Sequence, residues 1–275
     1  AEQVEEHCDL IEELFGQRPT VLWNTGMLYS NAIAAQAYDM GFEGIMADGS
    51  GRMMSNRNTN DLQCAPLIDK TKTLLRHRHL SNDLANRRTD PGWSEYPLSP
   101  YTFADWLSRE QGQVVNISMD YETLGERQAD STGVFEFWRT MITAALFAGN
   151  EFYTPTEAVR AFPSCGTLNC PNPVSCSTYG TTTHWNGNVM QQEAIKKIYD
   201  LERAVKASED RDMIHVWRKL QSADHFHYME KSNGFTPYPS PYDAYIYYMN
   251  ALADLQVRVK QQAALIHKAN KVTMA

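Results

Sequence analysis

Between residues 20 and 150 short apolar runs of strand length alternate with helical patterns, and no other feature of the chain restricts its fold as much. TVLWNTG (20–26) and FEGIMADG (42–49) read as buried strands, separated by the helical pattern NAIAAQAYDM (31–40) with Gly41 at its end. PLIDKTKTLLRH (66–77) predicts a helix, and HLSNDLAN, starting at His79, a strand. SPYTFADWLSREQG (99–112) is helical, VVNISMD (114–120) is the clearest strand, and TGVFEFWRTMITAALFAGN (132–150) is helical again. Strands joined through helices run parallel, because each helix returns the chain across the sheet. The class predicted is α/β. Ahead of this region Val4, Cys8, Ile11 and Leu14–Phe15 fall at helical spacing, and Gly16 ends that helix.

In parallel sheets and barrels, catalytic groups gather at the C-terminal strand ends. Asn24–Thr25–Gly26, Asp48 and Asp120 all take that position, and are expected to face one cleft. Residues i and i+2 of a strand point the same way, so Asp120 and Glu122 are candidates to enter it together, with Glu126 close behind. Paired carboxylates suit glycoside hydrolysis, in which one protonates the leaving oxygen and the other attacks the anomeric carbon or activates water. The plainer reading is a strand end before a helix N-terminus, where acids favour the dipole.

After residue 150 the composition turns to Pro, Gly, Ser, Thr, Asn and Cys, which predicts loop. Three helical patterns follow, at about 188–207, 209–232 and 241–270, and predict a three-helix bundle. His184–Trp185, in the polar stretch, suits stacking on a sugar ring, although from these residues alone a plain packed tryptophan is the favoured reading. In SADHFHYM only one of His225 and His227 can face any single partner, because i and i+2 do not share a helix face. Cys165, Cys170 and Cys176 match no common zinc spacing, and no metal is expected. HRH (77–79) reads as a helix C-terminus carrying dipole-favourable cations. No glycine-rich phosphate loop, Gly-x-Ser-x-Gly or His-Glu-x-x-His occurs, so nucleotide binding and serine hydrolysis lack support.

The net charge of −8, from 25 basic and 33 acidic residues, disfavours nucleic acid or an anionic membrane as a partner. The longest apolar run, MITAALFAG (141–149), is too short to span a bilayer. Five cysteines cannot all pair within one chain, and no basic-then-apolar segment opens the sequence. A reduced, cytoplasmic protein is the expectation.

VVNISMDYETLGERQADSTGVFEF resembles the fourth conserved region of glycoside hydrolase family 57, the retaining α-amylase group, whose members read close to MDYETFGEHQ there. RPTVLWNTGMLYSNAIAAQAYDMGFEGIMADG resembles that family's third region, and WSEYPLSPYTFADWL, HWNGNVMQ, SADHFHYM and SPYDAYIYYMNALADLQ are similar to its amylase members. The resemblance implies a partial (β/α)7-type barrel, here residues 1–180, followed by a helical bundle over 181–275. It implies an α-glucan or maltooligosaccharide as partner and no cofactor; it says nothing of oligomers.

By the same resemblance the general acid/base falls on Asp120. The nucleophile's motif, close to RNTE, reads Trp23–Asn24–Thr25–Gly26, so the nucleophile position holds a glycine, which cannot attack. The fifth region, close to WADTERDLSAWLGN, aligns on SCSTYGTTTHWNGN; its charges have become Ser177, Tyr179, Gly180 and Thr181, while Trp185 persists. A family His and Trp have become Arg127 and Ala129, and the first two regions, with a His-Gln motif, do not occur. Trp23, Asp48, Glu122, Trp185 and His225 are the expected substrate-binding residues. One reading is a silent homologue that keeps a glucan cleft. The other is an active hydrolase or transferase that uses a substitute carboxylate, Asp48 or Glu122, or is completed by residues preceding Ala1.

Overall fold

The computed structural model describes residues 1–50, 54, 57–177, 180–231 and 236–273, with side chains to 265. Tyr179 and residues 233–235, which figure in the altered fifth region and in the expected break before the last helix, lie outside the described residues. The described chain divides into two compact units, Ala1–Gly180 and Thr181–Ala275.

The first unit is built on a five-stranded, mainly parallel sheet. Its strands are β1 (Val21–Leu22), β2 (Gly44–Asp48), β3 (Gln63–Cys64), β4 (Lys72–Arg76) and β5 (Gly166–Thr167), in the spatial order β1-β2-β4-β3-β5. β1 runs parallel to β2 and β2 to β4, with Gly44 opposite Lys72 and Asp48 opposite Arg76. β3 is antiparallel to β4 and parallel to β5. This is the α/β class expected.

Helix α1 (Glu2–Phe15) ends where Gly16 takes the left-handed conformation, φ 70°. Helix α2 (Asn31–Asp39) is capped by the Ser30 hydroxyl, which accepts from the Ile33 amide at 3.3 Å. Alternation along β2 sends Ile45 and Ala47 into a core with Ala34 and Ala37 of α2 and Cys8 of α1. Met46 joins the other core, with Leu74 and the Ala158–Val159 pair. Glycine at 44 permits that second layer: a Cβ there would lie 2.7 Å from Val159 Cγ1 and 3.2 Å from the Lys72 carbonyl oxygen.

Two segments exchange their expected structures. Residues 66–77 contain β4 instead of a helix, and the stretch from His79 is helix α3 (Arg78–Asn82), continuing as a π-helical turn over Asp83–Arg87. β4 is covered on both faces, so it shows no polar alternation, and Leu74–Leu75 imitates a helical stripe. Leu80 and Leu84, four apart, both enter the core formed with α4 (Pro100–Arg109) and α5 (Val134–Phe147). The segment 114–120 is extended but is not a ladder strand. It makes one parallel bridge, Arg76 to Asn116, with the His77 amide donating to the Asn116 carbonyl at 2.8 Å. The run TVLWNTG pairs as a strand at β1, half-buried, stays extended at Asn24 and then turns into a 3₁₀ helix over Thr25–Met27. Helix α6 (Pro155–Ala161) starts in a Thr154–Glu157 capping box within the expected loop.

The second unit is helical: α7 (Thr183–Asn186), α8 (Val189–Asp200), α9 (Glu202–Ala207), α10 (Arg211–Lys219), α11 (Ala223–His227) and α12 (Pro241–Thr273). The first two expected long helices are therefore interrupted, near Leu201 and at 220–222. Ala194, Ile198, Trp217, Phe226, Leu252 and Leu255 form its core. Among the described residues no helix is long and apolar enough to cross a membrane.

Candidate active site

β2, β4 and the 114–120 segment finish side by side, and one arginine ties their ends. Arg76, nearly buried, donates from Nη1 to Asp48 Oδ1 (3.1 Å), from Nε to the Ser118 carbonyl (2.8 Å) and from Nη2 to Asn82 Oδ1 (2.8 Å). The other Asp48 oxygen takes Arg78 Nη1 at 3.3 Å. Asp48 is 0% exposed, so its charge is spent on these two guanidiniums.

Above this cluster opens a cavity of about 230 Å³. Trp23, Gly26, Arg76, Arg78, Asp120, Arg127 and Cys176 contribute to its wall. The cavity thus gathers the two positions that the family resemblance singles out, Asp120 and Gly26, with Trp23 beside them. Asp120 is its one carboxylate among the described residues. Asp48 lies beneath the wall, and Glu122, exposed on the 3₁₀ turn Tyr121–Thr123, does not contribute to it. The i and i+2 relation fails because the chain leaves the extended conformation at Asp120.

Asp120 itself is exposed, and its Oδ2 accepts from Arg127 Nη1 at 2.6 Å. Arg127 is held opposite it by the short turn between them, and the next residue is anchored: buried Gln128 donates to the Leu84 and Ala85 carbonyls (2.6 and 3.0 Å) and accepts from Arg88 Nε (2.8 Å). Trp23, 55% exposed, and Tyr121, 91% exposed, are uncovered aromatic faces close to Asp120 in the cavity wall and in the chain respectively.

Gly26 has φ 65° and the next residue, Met27, φ 48°, so the chain makes two successive left-handed steps where the nucleophile would stand. The Cys176 amide fastens this turn by donating to the Gly26 carbonyl at 2.8 Å, next to a bridge between Tyr29 and Val174. Although Cys176 is exposed, desolvation by the surrounding protein, with a smaller contribution from the Asp48 carboxylate, raises its thiol above its ordinary pKa. Cys165, Cys170 and Cys176 are all free thiols.

The remaining expected residues lie in the second unit. Trp185 is half-buried, packs against that unit's core and meets His184 edge-on at 6.0 Å. His225 is half-buried, its ring 5.4 Å from that of Tyr248. His227 instead approaches His184, ring centroids 5.3 Å apart, and Glu230 pairs with His184. Burial, reinforced by His184, lowers the His227 imidazole below its ordinary pKa.

Arg76, Arg78, Tyr121 and Cys176 carry no site role in the sequence reading. The strand-end rule would have exposed Arg76 and Arg78 had 72–76 been read as a strand; Cys176 has no local signal, since only the fold brings its loop to Gly26.

The cavity thus lies at the C-terminal ends of β2 and β4 in a mainly parallel α/β sheet, with Asp120 in its wall. The chain belongs to glycosyl hydrolase family 57, whose model matches residues 1–171. It is 31% identical to a protein of Methanocaldococcus jannaschii named "Putative alpha-amylase", over 96% of this chain and 60% of that relative. The chain therefore spans about three-fifths of the length of the curated relative it matches.

Proposed function

We propose that this protein binds α-glucan chains at the cavity around Asp120 without hydrolysing them. The observation that carries this reading is that, among the described residues, Asp120 is the single carboxylate on the cavity wall. Retaining hydrolysis needs a second carboxyl about 5–5.5 Å from the acid, and inverting hydrolysis one about 6.5–9.5 Å away with water between. At Gly26 there is no side chain to supply it. Asp48 is withdrawn into a buried pair with Arg76 and Arg78, and one Asp120 oxygen is engaged by Arg127. Family membership and the name of the relative favour a glucan as ligand, and Trp23 and Tyr121 offer flat apolar faces against which sugar rings pack. The partial (β/α)7 barrel over 1–180, the bundle over 181–275 and a cytoplasmic location belong to the same proposal.

Calorimetric titration with maltooligosaccharides tests binding, and reducing-end release tests chemistry. The expected result is binding that weakens in Trp23→Ala, and no turnover above the uncatalysed rate. Azide or formate, small enough to fill the space beside Gly26, is the sensitive control for a lost nucleophile. Robust turnover by the unmodified chain, abolished by Asp120→Asn, would overturn the proposal by revealing a substitute base.

A further inference from the structure

The second unit brings together three groups that the glucan reading leaves unused. His184, on α7, His227, at the end of α11, and Glu230, three residues beyond, offer ligand atoms that all lie within 4.8 Å of one another. His184 Nδ1 contacts Glu230 Oε2, and His227 Nδ1 stands 3.8 Å from the same oxygen. We propose that His184, His227 and Glu230 form a site for a divalent transition cation, zinc by the ligand set.

The ligand chemistry selects the metal. Two imidazoles and one carboxylate are the three-protein-ligand set of open zinc sites, and harder cations such as calcium and magnesium prefer oxygen alone. Zinc takes nitrogen and oxygen at about 2.0–2.2 Å, so tetrahedral ligand atoms end roughly 3.4 Å apart. The 3.8 Å separation of His227 and Glu230 is close to that spacing, while the His184–Glu230 contact must open. Exposure is graded to match: the His184 and Glu230 side chains are 15% and 10% exposed, and His227, at 34%, leaves a way in from solvent.

The three carriers are also held in place by neighbours that do not depend on a metal. Gln191, fully buried in the first turn of α8, donates from Nε2 to the His184 carbonyl (2.7 Å) and to the Phe226 carbonyl (2.9 Å). Those bonds lock the α7 turn against the helix that bears His227. Asn188 Nδ2 donates to the Met229 carbonyl at 2.9 Å, which sets the backbone next to Glu230. The Asn188–Gln191 capping box thereby fixes all three ligand-bearing segments with two side chains, the outer support a metal site requires.

The test uses the full chain without a histidine tag, stripped with chelator and titrated with zinc against a chromophoric chelator. One equivalent should bind, and cobalt in its place should give the visible absorption of a four-coordinate site. His184→Asn and His227→Gln should each weaken zinc by at least about 100-fold, beyond the loss that removing an outer-shell partner causes. Circular dichroism and a melting curve establish that each variant is folded; half-exposed His227 is the safer of the two. Cys165→Ser and Cys176→Ser should bind as the parent does. Absence of stoichiometric binding by the folded parent, or binding that survives the folded His227→Gln variant, or binding lost with the cysteines, would each overturn the assignment. None of these outcomes bears on glucan binding.

Discussion

At Gly26 the missing side chain is only part of what has changed. The residue sits at φ 65°, followed by Met27 at φ 48°, so the turn now rests on a backbone that glycine adopts freely and other residues resist. Restoring a carboxylate by Gly26→Glu carries a conformational cost of about 1–2 kcal/mol, and the altered turn need not aim the new group at the cavity. We predict a lower melting temperature for that variant and hydrolysis of maltooligosaccharides still at background. Turnover restored to an easily measured rate would show that the Glu side chain alone was lacking. Acid and nucleophile act as a unit, so losing one removes orders of magnitude of rate on its own.

At the scale of elements, the strand ends meet because Asp48 of β2 and Arg76 of β4 stand opposite each other in register, and Arg76 then reaches the 114–120 segment through Ser118. This arrangement replaces the ladder that the segment lacks. Removing one partner of a buried pair strands the other charge, which typically costs about 3–5 kcal/mol. Asp48→Ala should therefore lower stability by several kcal/mol in denaturant melts, whereas truncating the exposed Arg127 should cost far less. If Asp48→Ala melts like the parent, Arg76 is supported by other contacts and the pair does not organise the site. Gly49, directly after Asp48, has a similar constraint: a Cβ there would sit 2.5 Å from the Arg76 carbonyl oxygen.

At the scale of the whole molecule, each unit has a core of its own, one around the sheet and one among the helices. The net charge of −8 comes from the first unit, where acidic residues outnumber basic ones, while residues 181–275 are close to neutral; repulsion from the acidic unit should keep polyanions away. We expect no retention on duplex DNA or on anionic phospholipid vesicles at about 0.15 M salt, where the Debye length is about 8 Å. Tight binding to either, assayed by mobility shift or co-sedimentation, would expose a basic patch that the charge count conceals.

The residues alone determined the class and the family. Alternating elements led to a mainly parallel sheet, and the DYETLGE and WNTG stretches carried the expectation that Asp120 and Gly26 share a cleft. α1, α2, α4 and α5 were legible because each has one apolar stripe and a local cap or stop. β4 was not, since a strand buried on both faces loses the period that distinguishes it from a helix. Nor was the end of the 114–120 strand, because extended backbone becomes a ladder only if a neighbour supplies hydrogen bonds, and here the neighbour supplies one bridge. Only the tertiary structure buried Asp48 under two arginines, set Cys176 against Gly26, and chose His227 over His225 as the partner of His184. These are contacts between residues distant in sequence. Local periodicity carries no record of them; the packing of whole elements decides them.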